Sequence, residues 1–156
     1  MSSKSGPDFI GIGNSRCGTS YIYNYLRHHK DVWMPPLKEI HYFGEQRGEK
    51  ILNKWVRKYW KYPIYFSLQS TIHFSPKTIT DWRFSWKFFT GKKNDEWYFS
   101  IFKKPKSITV SGDITPQYCL LEEKQILEIY KLLPAAKIIF IMRNPLDFCC
   151  SKAENT

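Results

Sequence analysis

Long apolar runs are missing from this sequence. The longest purely apolar stretch, Ile138–Met142, falls far short of the roughly 20 residues a bilayer-crossing helix needs. The first residues lack the apolar core of a signal peptide. Cysteine is scarce, and no two of Cys17, Cys119, Cys149 and Cys150 stand as a C-x-x-C pair. That argues against a zinc pattern or a disulfide framework and predicts reduced thiols in a cytoplasmic setting. Acidic residues are also few. Asp+Glu number 14 against 24 Lys+Arg, a net charge of +10. Such a surplus predicts a polyanionic partner: nucleic acid, acidic glycan, anionic lipid or phosphorylated nucleotide. There is no internal repeat and no low-complexity tract.

Hydrophobic residues are plentiful at 42%, which excludes a disordered chain, and 156 residues suffice for one domain with its own core. Residues 8–13 (DFIGIG) read as a buried strand ending in a glycine turn. A helix is predicted from about Gly18 to His29, with Ile22, Tyr25, Leu26 and His29 on its inner face. Pro35 and Pro36 force an extended or turning segment. Residues 49–61 have the pattern of a basic amphipathic helix, and 62–95 are aromatic without a clean period. Residues 107–111 read as a strand, and 122–133 as a helix through Ile126, Ile129, Tyr130 and Leu133, stopped by Pro134. Residues 137–142 read as a second buried strand, and Pro145 opens a last helix. Apolar strands alternating with helices predict an α/β fold: a P-loop-type parallel sheet with helices on both faces, in three layers. Ligands of such sheets sit at the carboxyl ends of the strands.

Two motifs fall at those ends. Residues 13–20 (GNSRCGTS) follow the first strand and open the first helix. Free backbone N–H groups at a helix N-terminus attract anions, and glycines let a phosphate approach closely. The Gly13-x4-Gly18 spacing resembles a Walker A loop, but Thr19 stands where that loop has its lysine. The cation here is Arg16, inside the loop. Taken alone, the pattern also fits a plain glycine turn. The second motif, residues 134–151 (PAAKIIFIMRNPLDFCCS), is a strand ending in Arg143, then a turn and a helix carrying Ser151. A guanidinium with a nearby hydroxyl suits a phosphate monoester. By itself it fits equally an arginine at a sheet edge and a serine on a solvated face.

Together these segments resemble the sulfotransferase family. The loop 13–20 is similar to that family's 5′-phosphosulfate loop, where lysine is the commonest cation and arginine is also seen. Arg143 and Ser151 fall on the family's 3′-phosphate residues. Residues 36–43 (PLKEIHYF), 96–98 (EWY) with Phe102, and 112–118 (GDITPQY) resemble segments of its bacterial and heparan-sulfate-like branch. The likeness covers 8–43 and 96–151 and leaves out 44–95, a basic, aromatic insertion expected on the acceptor side. Ile114 stands where heparan-sulfate enzymes often carry a lysine, which argues against a heparan-type acceptor. Family members run well beyond 156 residues and carry a later glycine-rich loop, so the chain is expected to be the N-terminal portion of one domain.

The resemblance implies transfer of a sulfuryl group from 3′-phosphoadenosine 5′-phosphosulfate (PAPS) to a hydroxyl or amine, with a glycan or small molecule as acceptor. It implies Arg16, Cys17, Gly18, Thr19, Ser20, Arg143 and Ser151 as the nucleotide site. Arg16 would neutralise charge on the bridging and sulfuryl oxygens, and no metal is required. Glu39 is the expected base, its pKa raised by burial among Ile40, Tyr42 and Phe43. His41 is the alternative base. Lys38, Asp113, Thr115 and Trp97 are expected to contact the acceptor. Tyr118 is expected to line the cleft, and Tyr98 to share an aromatic wall with Trp97. Two rival readings remain. A P-loop nucleotide enzyme of the kinase type is disfavoured by the missing lysine. A nucleic-acid-binding module would use the Lys/Arg–aromatic mixture of 54–106, although no nucleic acid is expected as partner.

Overall fold

Among the described residues, four short strands, all parallel, make one sheet in this computed structural model. β1 (Phe9–Gly13) lies between β3 (Val110–Ile114) and β4 (Lys137–Ile141), and β2 (Val32–Trp33) pairs with the other side of β3. The structure describes residues 6–14, 16–44, 83–84, 86–88, 90–146 and 148. Helix α1 (Thr19–His28) connects β1 to β2. α2 (Asp95–Ile101) precedes β3. A 3-10 helix (Pro116–Leu120) and α3 (Glu123–Leu132) lead from β3 to β4. This is the parallel α/β, P-loop-like architecture that the alternation of strands and helices predicts. Among the described residues, no helix is long and apolar enough to cross a membrane.

β1 sits in the middle of the sheet because small and apolar residues alternate along it. Its flanks are close: a Cβ on Gly13 would lie 2.5 Å from the Ile141 carbonyl oxygen, and the Gly13 φ is +155°. Gly13→Ala should therefore destabilise the fold by about 1–3 kcal/mol. Urea melts of the two proteins measure this, and an unchanged midpoint would contradict the tight β1–β4 approach.

Several predicted elements differ in detail. β3 lies three residues later than the predicted strand 107–111, because Asp31 already accepts the Thr109 and Val110 N–H groups before strand pairing takes over. β2 has only two residues, too few for any periodicity to show. α1 buries Thr19 and Tyr23, and Tyr25 is 64% exposed. The Tyr23 hydroxyl, 2.7 Å from the Pro35 carbonyl and 2.9 Å from that of Pro36, turns the helix this way. α3 presents Ile129 and Leu132 to the core and leaves Ile126 and Tyr130 exposed. The described residues between 83 and 90 are helical, with Phe84 and Phe88 buried, so this part of the insertion belongs to the core. Residues 45–82, including the predicted helix 49–61, lie outside the described residues.

The main core is aromatic. Tyr42 stacks on Tyr98 at 4.5 Å between ring centroids, and Phe43 and Phe102 meet Tyr98 edge-on. Each such pair contributes about 0.5–1.5 kcal/mol beyond its buried area. This cluster ties segment 40–43 to α2, and so fixes the residues just before it, Lys38 and Glu39, against the sheet.

Candidate functional site

The loop after β1 turns through Arg16 in a left-handed conformation (φ 64°) and enters α1 at Gly18 (φ 87°). Gly18 tolerates that φ freely, whereas Arg16 holds it at a cost of order 1 kcal/mol or more. No side chain caps the start of α1, and its first turn contains no acid. The first N–H groups of a helix have no intrahelical partner, so this end attracts anions. Cys17 differs from the expected donor set, because its N–H points back to the Asn14 carbonyl at 3.4 Å. Arg143, just beyond β4, donates from Nη1 to the Arg16 carbonyl at 3.2 Å. The two sequence motifs, more than a hundred residues apart, thus meet at one loop. Ser151 lies outside the described residues.

Opposite the loop runs segment 38–43. The Lys38 ammonium donates to Thr19 Oγ1 at 3.1 Å and Ser20 Oγ at 2.9 Å, and pairs with Glu39 Oε1 at 3.0 Å. The other Glu39 oxygen lies 3.3 Å from His41 Nε2. Glu39 and His41 both have left-handed backbones, φ 62° and 52°. With Arg16 they are the non-glycine residues at positive φ among the described residues, and all three lie at this site. The turns are held by the Glu39 N–H bond to the Ile114 carbonyl and by the Tyr42 N–H bond to the Tyr118 hydroxyl.

The expected upward shift of Glu39 is corrected. The hydrogen bond from His41 holds its carboxyl below the usual range, burial acts the other way, and Lys38 adds to the lowering. Ile40, Tyr42 and Phe43 are buried, yet the Glu39 carboxylate has the His41 ring and the Lys38 ammonium in reach, and these outweigh desolvation.

The cleft between loop and segment has a volume of about 280 Å³, with Gly13, Arg16, Thr19, Ser20, Lys38 and Glu39 along it. The 3-10 helix closes one side with Pro116, Gln117, Cys119 and Leu120. Sequence reasoning missed these four as lining residues. The signal was available, since they directly follow a strand whose carboxyl end faces the loop.

Asp113, Thr115 and Trp97 do not line this cleft. Asp113 and Thr115 are fully buried, and Trp97 is nearly so. Asp113 accepts from Thr115 Oγ1 at 2.8 Å, Tyr98 OH at 2.9 Å and Tyr118 OH at 3.4 Å. Burial pushes its pKa up to about 6, against the hydrogen bonds of Thr115 and Tyr98 and the charge of His41. Tyr98 and Tyr118, also expected along the cleft, belong to this buried network, and burial with the Asp113 charge raises both phenols. Trp97 packs on Phe88 and Lys93 and donates to the Lys87 carbonyl at 2.8 Å. These groups support the floor of the site from below. Among the described residues, no group of three or more His, Cys, Asp or Glu side chains gathers as a metal ion would need.

Comparison with known proteins supplies one match. A family model described as "Sulfotransferase family" covers residues 7–156. No curated protein and no solved structure matches the chain.

Proposed function

The chain belongs to the sulfotransferase family, and on that premise we propose that it transfers a sulfuryl group from PAPS to a hydroxyl or amine of a glycan or small molecule. One observation supports the donor most directly: Arg143, 3.2 Å from the Arg16 carbonyl, is a second fixed cation beside the phosphate loop. A nucleotide with anions at both its 5′ and 3′ positions suits two such cations better than one with anions at a single end.

In this reading the free N–H groups at the start of α1 and the Thr19 and Ser20 hydroxyls hold the 5′-phosphosulfate. Arg16 faces the bridging oxygen, where charge builds as the bond to sulfur breaks. Arg143, with Ser151, takes the 3′-phosphate. Glu39 is the base because it borders the cleft, whereas His41 is 5% exposed and contacts the far oxygen of Glu39. His41 orients that carboxylate. The cleft's other side, formed by Pro116, Gln117 and Leu120, receives the acceptor.

A thermal-shift comparison tests the donor. Adenosine 3′,5′-bisphosphate at a hundredfold excess over its Kd should add about 2.7 kcal/mol of stability. At the same concentration ATP and 5′-AMP should add clearly less. Arg143→Ala should remove roughly 1.5–3 kcal/mol of bisphosphate binding, the range for a hydrogen bond to a charged group. Equal shifts from 5′-AMP and the bisphosphate would refute the 3′-phosphate assignment.

A further inference from the structure

Lys38 occupies an odd place for a cation. Its ammonium rests on the hydroxyls of Thr19 and Ser20, the first two residues of α1. A helix N-terminus carries partial positive charge, so an ammonium there sits against the helix dipole. Glu39, at 3.0 Å, is what compensates it. The three donors of the ammonium are thus directed at two hydroxyls that border the anion site and at the residue proposed as base.

We propose that Lys38 is a catalytic cation that exchanges Glu39 for the sulfuryl oxygens of bound PAPS and holds them through transfer. The inference rests on the sulfotransferase reading above and goes further by giving the sulfuryl group its own cation. The division of labour follows from shape. The planar guanidinium of Arg16 suits a phosphate or bridging oxygen, whereas a compact ammonium on a flexible stem can follow a group that moves. Lys38 starts on the Thr19 and Ser20 hydroxyls, so a short swing of its side chain suffices.

The exchange also couples donor to base. While Lys38 pairs with Glu39, the carboxylate is a poor proton acceptor. When the ammonium turns to the sulfuryl oxygens, Glu39 keeps its His41 contact and becomes more basic. The acceptor oxygen or nitrogen then forms a bond to sulfur, and the bond from sulfur to the bridging oxygen breaks. The electron pair of the broken bond leaves with adenosine 3′,5′-bisphosphate, and the acceptor proton passes to Glu39.

Titration calorimetry without acceptor tests this, using the full chain, Lys38→Met and Lys38→Arg, each with PAPS and with adenosine 3′,5′-bisphosphate. Lys38→Met should cut the preference for PAPS over the bisphosphate by about ten- to a hundredfold, the equivalent of one charge-assisted hydrogen bond. Bisphosphate affinity itself should change far less, and Lys38→Arg should recover part of the preference. If Lys38→Met weakens both nucleotides equally, Lys38 merely braces the loop and the proposal fails. It fails also if PAPS binding is untouched and only the acceptor KM rises, since Lys38 then serves the acceptor. Should the Met variant not fold, the Arg variant decides: a preference identical to wild type, with identical turnover, overturns the proposal. A wild-type chain that binds neither nucleotide instead overturns the donor assignment itself, independently of Lys38.

Discussion

Glu39→Gln should lower turnover by about 10²–10⁴-fold, the usual contribution of a positioned general base. Affinity for adenosine 3′,5′-bisphosphate should stay nearly unchanged, because the base acts on the acceptor, the bisphosphate has no sulfuryl group to draw Lys38 away, and glutamine keeps the shape of the side chain. His41→Ala should cost less, since His41 reaches the cleft only through the 3.3 Å contact with Glu39. Steady-state kinetics on both variants, with bisphosphate titrations alongside, separate the roles. Full turnover in Glu39→Gln together with a dead His41→Ala would transfer the base assignment to the histidine.

The acid side of the pH profile gives an independent check. His41 and Lys38 hold the Glu39 carboxyl below the usual carboxylate range. The free enzyme therefore keeps its base ionised as pH falls, and kcat/KM for PAPS should show no acid limb between pH 7 and about 5. The linkage has the sign of a depressed acid. Glu39 adds stability above its unfolded value, and that contribution disappears as pH falls through the folded value. A limb near neutrality would mean that burial wins after all.

The parts of the site that sequence revealed are those in which local chemistry and topology coincide. Gly13, Gly18 and the apolar residues of β1 mark a strand, a turn and a helix start together, and the anion loop is at that junction. Arg143 was legible because an apolar strand runs straight into it. Which way the side chains next to the loop turn has no signature in the residue pattern. Lys38 looked like an acceptor contact, yet the left-handed backbone at Glu39 and His41 points the Lys38 ammonium to Thr19 and Ser20. Such conformations in non-glycine residues have no local signature, because they are imposed by tertiary hydrogen bonds. α2 escaped for another reason. Trp97, Tyr98, Phe99 and Ile101 are all buried in a helix of seven residues, so Asp95, Glu96 and Ser100 leave only a narrow polar strip and too short a window for a helical period to be read. Apolar spacing alone places Ile22 and Leu26 of α1 and Ile129 of α3 against the core, as the structure has them. It misplaces Tyr25, Ile126 and Tyr130, which are exposed, and misses Tyr23, which its hydroxyl holds inward.

Asp113→Ala should be the most destabilising substitution near the site. Its carboxylate accepts three buried hydroxyls, from Thr115, Tyr98 and Tyr118. Each donor left without a partner costs about 1–3 kcal/mol, so with three donors the loss should be at least about 3 kcal/mol. Turnover should fall with it, for a specific reason. The Tyr118 hydroxyl that Asp113 holds also accepts the N–H groups of Tyr42 at 2.9 Å and Phe43 at 3.3 Å. Those bonds anchor the segment that carries Lys38, Glu39 and His41. Asp113→Asn is the sharper probe, since it keeps the volume and removes the charge. Burial raises the Asp113 pKa to about 6, so the folded state holds a proton that the unfolded state has already released between the ordinary carboxylate range and that value. Stability must then fall as pH rises through this window, by about 3 kcal/mol in total. Urea melts at pH 4 and pH 6.5 should show this fall in the wild type and a correspondingly smaller one in Asp113→Asn. Parallel pH dependence in the two proteins would show that Asp113 enters the fold with its charge fully compensated, and the three hydroxyls and His41 would then outweigh the cost of burying it.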